Sequence, residues 1–202
     1  MPCSISPAAP ATKAPHLVKL NKIYTRTGDG GSAGLVDGSR VSKSSLRMAA
    51  IGEVDEANAA IGVAIAALGG GDVAYRLLQV QNELFDLGAD VATPGEVEGA
   101  LRIIASQVAR LEVEIDEMNA ALQPLTSFIL PGGSPAVAAL HFARTVVRRA
   151  ERAAVALHEA EPLNPQLLAY LNRLSDHLFV AARFVAAREG GDVLWQPGAT
   201  RT

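Results

Sequence analysis

The sequence predicts an all-α fold, a five-helix bundle, on three observations. Apolar residues recur three and four apart through most of the chain. Clusters of Gly and Pro divide it into five segments of helical length. The composition, rich in Ala, Leu and Val and only 4% aromatic, suits closely packed helices. With 202 residues, 49% hydrophobic and 19% charged, the chain can bury one sizeable core and is not a disordered polymer. No internal repeat or domain boundary is visible.

The first twenty residues hold four prolines and no Arg, and 1–16 reads as a disordered tail leading into a domain over 17–190. A short extended segment, 17–25, leads into a Gly-, Ser- and Asp-rich loop over 26–45, too long for a plain connection. The first helix is expected over 46–68, with Gly52, Asp55, Ala59 and Gly62 as a face of close approach. Gly69 to Gly71 ends it and Asp72 caps the second, which runs to about Ala92 with Leu77, Leu78, Leu84, Phe85 and Leu87 as apolar members. Thr93-Pro94-Gly95 breaks that helix. The stripe Leu101, Ile104, Val108, Leu111, Ile115 and Met118 predicts a third over 97–122. Ser134 at an N-cap and Pro135 at the first helical position open the fourth, which runs to about Leu157 with Ala139, Phe142, Val146, Ala150 and Ala153 facing the core. The fifth, over 166–188, puts Leu171, Leu174, Leu178, Ala181 and Val185 inside, and Asn172, Asp176, Phe179 and Arg183 together on another face. Gly190-Gly191 stops it, and 191–202, with Trp195, reads as a tail.

A net charge of −3 argues against a general nucleic-acid or membrane-surface binder. The longest apolar run, 59–68, is too short to cross a bilayer, and neither a secretory nor a mitochondrial leader is recognisable. The single cysteine, Cys3, permits no disulfide or cysteine zinc site within the chain, which fits a reducing, cytoplasmic setting. Gly28 to Ala33 matches GxGxxA only formally, since more loop follows where a helix should start. Residues 38–44 lack the Gly that a Walker loop needs before Lys43, and no His, His16 included, follows a Glu at the di-iron or zincin spacing.

What remains is cationic. Arg144, Arg148 and Arg152 recur every four residues on one helical face, with His141 and Glu151 near it and Arg149 at its border. Spacing alone also allows a solvated basic face. Arginine forks suit phosphate oxygens, however, and the glycine-rich loop adds Thr25, Arg26, Thr27, Asp29 and Lys43. Asp55 needs a cation, and Asn172 lies on another helix. Together they suggest a polyphosphate site where the loop and the arginine helix converge.

Six motifs in order carry a resemblance: TRTGDGG (25–31), RVSK (40–43), GEVDEANAAIG (52–62), FILPGGS (128–134), ARTVVRRAER (143–152) and NRLSD (172–176). They resemble the ATP:cob(I)alamin adenosyltransferases of the propanediol-utilisation type over about residues 20–190. The resemblance implies a ferritin-like up-down bundle that assembles as a homotrimer with sites between subunits. It implies transfer of the 5′-deoxyadenosyl group of ATP to the cobalt of cobalamin, with triphosphate leaving and Mg2+ accompanying ATP. A cobalamin reductase and an adenosylcobalamin-dependent acceptor enzyme are the implied partners, with no nucleic acid and no membrane.

By motif match, Thr25, Arg26, Thr27 and Gly28 wrap the ATP, with backbone contacts near Ala33 and Gly34. Lys43, Arg148 and Arg152 hold phosphates; Arg149 and Glu151 belong to the same run; Asn172 contacts the nucleotide. Arg148, Asp55, Arg144 and Phe128 are the implied catalytic set. Asp55 pairs with Arg144, and Phe128 faces the corrin and helps exclude its lower axial ligand, with Asp176 and Phe179 on the same side. Ala33 stands where many relatives carry Ser or Thr, and Met48-Ala49 where Val-Glu is usual. A non-catalytic ATP- or cobalamin-binding regulatory or chaperone protein is the competing reading. A purely structural bundle leaves the loop and Asp55 unexplained.

Overall fold

Ser45, in extended conformation, accepts from the Met48 N–H and opens the first of five helices in the computed structural model, which describes residues 23–201. Cys3, His16, the expected tail 1–16 and most of the segment 17–25 lie outside the described residues. The helices are α1 (Leu46–Leu68), α2 (Asp72–Val91), α3 (Ala105–Asn119), α4 (Pro135–Ala160) and α5 (Pro165–Ala186). The expected five-helix bundle is observed. The polar loop before α1 adds a small hairpin, β1 (Ser32–Gly34) antiparallel to β2 (Arg40–Ser42), with Ala33 opposite Val41.

Helix α1 packs against α2 and α4, α4 against α5, and α5 against α3. On α1, buried Ala50, Ala57 and Ala64 recur every seven residues; α4 buries Ala143, Ala150 and Ala154. Small side chains let two axes approach closely. The expected small face is a different one: Gly52, Asp55 and Ala59 lie exposed. Leu77, Leu84 and Leu87 of α2, Leu111 of α3, Leu140 and Leu157 of α4, and Leu171, Leu174 and Leu178 of α5 complete the core.

Three expectations are corrected. Phe142 is 56% exposed, and Leu78 and Phe85 are exposed too, because the buried stripe of each helix runs one position away from them. Arg183, expected with Asn172, Asp176 and Phe179 on a face apart from the core, is buried, with its guanidinium on Asp192 (2.9 Å) and the Gln123 carbonyl (2.8 Å). Helix α3 begins at Ala105 rather than Val97, leaving Leu101 and Ile104 outside it and exposed. The cause is Asp90, buried near the end of α2. Its carboxylate accepts from Arg102 (2.7 Å), from the Ile103 N–H (2.9 Å) and from Asn164 (2.8 Å), which also accepts from the Gln166 N–H at the start of α5. A second polar network joins α2, α3 and α5. Arg110 pairs with Glu83 and Glu114; Tyr170 donates to Glu83 (2.6 Å), and His177 bonds Glu114 (2.7 Å).

Candidate active site

The glycine-rich loop is folded by its own polar groups. Arg26 is the one non-glycine residue with positive φ among the described residues (63°), and its carbonyl accepts from the Asp29 N–H. Thr25 and Thr27 share a hydroxyl hydrogen bond of 2.8 Å. Arg40, on β2, donates to the Thr27 carbonyl (2.7 Å) and to the Ser32 hydroxyl (2.8 Å), cross-bracing the loop. The Lys43 N–H donates to Gly31, and its amine lies over Gly28, where a Cβ would stand 3.1 Å from Nζ. The loop thus brings Gly28 and Lys43 together, with Ala33 and Gly34 on the adjoining strand.

Helix α4 starts where the sequence puts it: the Val137 N–H donates to Ser134 Oγ, and Pro135 occupies the first turn. Its arginines fall into two groups. Arg149 turns to α1 and pairs with Glu53 (2.5 Å) and Glu56, which raise its pKa. Arg144, Arg148 and Arg152 carry no ion pair among the described residues. Burial, and then the neighbouring Arg148 charge, hold the Arg144 pKa below its ordinary value. Arg144 Nε is buried without a partner, and the guanidinium lies 5.9 Å from the Phe179 ring centroid. Arg152 donates to the Arg148 carbonyl (2.9 Å), leaving the Arg148 fork exposed. Asn172 of α5 donates to Glu151 (2.9 Å), so these two expected site residues meet.

Phe128 is 78% exposed and packs on Trp195, centroids 6.1 Å apart. The segment around Trp195 lies antiparallel beside it. The Trp195 N–H donates to the Phe128 carbonyl (2.7 Å), the Leu130 N–H to Val193 (2.8 Å), and the Ser127 hydroxyl to the Trp195 carbonyl (2.8 Å). Phe179 touches His141 as well as Arg144. The Asp176 carboxylate accepts from Arg173 (3.0 Å). The structure therefore gathers Phe179 with Arg144, and Phe128 with Trp195, but brings no described ring contact between Phe128 and Phe179.

The pair Asp55–Arg144 is not formed within the chain. Asp55 lies on the exposed face of α1 without an ion pair among the described residues, and Glu53 and Glu56 are the acids of that helix that reach α4. Two contributors escaped the sequence reading. Arg40 stands inside the quoted RVSK motif, but its bonds to the loop depend on the hairpin. Trp195 offered only its chemistry, an isolated aromatic beyond the last helix.

A bundle that leaves three stacked arginines without an ion pair among the described residues, and that carries a glycine-rich loop with a lysine, has the makings of a polyphosphate binder. Residues 23–185 match the family model for cobalamin adenosyltransferases, and the chain belongs to that family. It is 53% identical over 192 residues to the corrinoid adenosyltransferase of Mycobacterium tuberculosis, spanning 92% of this chain and 98% of that one. Identity to the Bacillus subtilis corrinoid adenosyltransferase is 47% over 183 residues, 88% of this chain and 94% of that one. A solved structure of a phenylalanine-to-alanine variant of the PduO-type ATP:corrinoid adenosyltransferase from Lactobacillus reuteri, complexed with cobalamin and ATP, superposes with a TM-score of 0.81. It is 36% identical and covers 87% of this chain and 99% of that one.

Proposed function

We propose that the chain transfers the 5′-deoxyadenosyl group of ATP to the cobalt of cob(I)alamin, giving adenosylcobalamin and triphosphate. Within the molecule, the observation that carries this reading is the uncompensated stripe Arg144–Arg148–Arg152, since like charges one turn apart call for an anion.

The chemistry suits such a site. Cobalt(I) supplies the electron pair, its bond to C5′ forms as the C5′–O5′ bond breaks, and cobalt leaves the step as cobalt(III). The triphosphate departs with the pair from the broken bond. The protein need supply no nucleophile; it must align the two substrates and stabilise charge on the leaving group. Lys43, Arg148 and Arg152 are assigned to the phosphates, the backbone from Thr25 to Gly28 and at Ala33–Gly34 to the nucleotide, and Asn172 with Glu151 to the nucleotide's edge. The exposed ring of Phe128 is assigned to the corrin, with Phe179 beside Arg144 and Asp176 on the same side.

No group of three or more His, Cys, Asp or Glu among the described residues could hold a metal. Mg2+ is assigned to the triphosphate oxygens and water, arriving with ATP as substrate. The exposed Asp55 and the unpartnered Nε of Arg144 fit a homotrimer in which Asp55 of one copy meets Arg144 of the next. A reductase that delivers cobalt(I) and an enzyme that takes the product complete the setting, which we place in the cytoplasm, the compartment that supplies ATP. No helix among the described residues is long and apolar enough to cross a membrane.

An anaerobic assay with chemically reduced cobalamin and MgATP tests the reading. Loss of the cobalt(I) band that needs both protein and ATP, with light-sensitive product and triphosphate, is expected. A persistent band despite ATP binding would instead mark a non-catalytic binding protein.

A further inference from the structure

We infer that Arg47, outside the phosphate-binding set, is a positioning residue that holds the glycine-rich loop in order before the nucleotide arrives. The inference rests on the reading of Lys43, Arg148 and Arg152 as phosphate ligands. Arg47 is the second residue of α1, four beyond Lys43, yet its side chain is only 3% exposed. Nη1 donates to the Val91 carbonyl (2.5 Å), at the last residue of α2, and Nη2 to Glu161 (2.6 Å), which ends α4.

The carbonyl end of a helix presents unpaired acceptors and the negative pole of its dipole, so a buried guanidinium is well placed there. The next carbonyl, that of Ala92, accepts from the Val36 N–H (3.1 Å), in the turn between β1 and β2. Two consecutive carbonyls at the end of α2 thus hold the segment that carries Lys43 on both sides, at Val36 before it and at Arg47 after it. Through Glu161, the same guanidinium reaches the end of the helix that bears Arg148 and Arg152. A loop released from these bonds must be ordered again by each incoming nucleotide, which weakens binding and leaves the bound geometry unchanged.

The test compares Arg47→Met, Arg47→Lys and Val36→Pro by MgATP calorimetry without cobalamin and by steady-state kinetics. Arg47→Met and Val36→Pro should each raise the Kd and KM for MgATP about tenfold, with kcat at saturating ATP and the KM for cob(I)alamin within about twofold. Arg47→Lys, which keeps a cation for the Val91 carbonyl, should recover part of the loss. Val36 is exposed, so its variant reports even where a change at the buried Arg47 prevents folding. Lys43→Ala serves as the control. If it leaves MgATP affinity unchanged, the phosphate reading of the loop itself fails. If it weakens MgATP while folded Arg47→Met and Val36→Pro bind as the parent does, the role of Arg47 alone is overturned, and a lower Tm with unaltered MgATP affinity overturns it equally.

Discussion

Arg148 is the residue on which the site turns, because it is exposed and carries no ion pair among the described residues while Arg149, one position on, is bound to two acids. Arg148→Ala should lower kcat/KM for ATP by about 100-fold, the loss of one or two charge-assisted hydrogen bonds, with the circular dichroism spectrum unchanged. Parent-like turnover in that variant removes the phosphate clamp. Gly28 gives a finer probe. A methyl group there meets the Lys43 amine at 3.1 Å, and that flexible end can swing away. Gly28→Ala should therefore raise the KM for ATP about 3- to 10-fold with no loss of thermal stability, read by kinetics and calorimetry together. At this scale much was legible: a four-residue period places Arg144, Arg148 and Arg152 on one face from sequence alone. The fate of Arg149 was not, because the acids that occupy it lie 96 residues back for Glu53, and no local pattern connects them.

Among elements, the segment around Trp195 matters most for the chemistry. It adds a short antiparallel partner to residues 128–130 and lays an indole against Phe128, an aromatic assigned to the corrin. Trp195→Ala should slow adenosylation that starts from cobalt(II) about 3- to 10-fold, the usual worth of an aromatic pair, while the KM for ATP stays put. A cobalt(II) rate in that variant equal to the parent's would count against the assignment of Phe128. The period of apolar residues found all five helices but misplaced the start of α3. Leu101 and Ile104 continue the stripe perfectly well, yet the distant carboxylate of Asp90 takes the Ile103 N–H and holds the backbone extended there. The small hairpin was hidden for a related reason: its strands are three residues each, too short for an alternating pattern to emerge from a Gly- and Ser-rich stretch.

For the molecule as a whole, two measurements follow. If copies join through Asp55 and Arg144, Asp55→Asn should shift sedimentation from trimer toward smaller species, whereas an unchanged profile removes that contact. Stability should also depend on mild acid. Burial, and then the Arg144 charge, hold His141 below its ordinary value of 6.5, so the unfolded chain takes up the proton first. Stability is then lost as pH falls below about 6.5, and His141→Gln should flatten the fall in Tm between about pH 7.5 and 5.5. The order of the helices and most of the core were legible because both follow from local periodicity and helix caps. The pairings that lock the bundle, such as Arg110 with Glu83 and Arg183 with Asp192, join residues whose partners only tertiary structure selects.

The latch at Asp90 has a consequence for how the molecule comes apart. One carboxylate fastens the connection between α2 and α3 to the start of α5, and the stretch from Gly95 to Leu101 beyond it is largely exposed. Loosening the latch frees that stretch while leaving the helices on either side packed. Asp90→Asn, which strips a charge from a buried pair worth ~3–5 kcal/mol when broken, turns it into a protease's first foothold. Brief trypsin treatment should then cut after Arg102, yielding two fragments of nearly equal length that travel together until denatured.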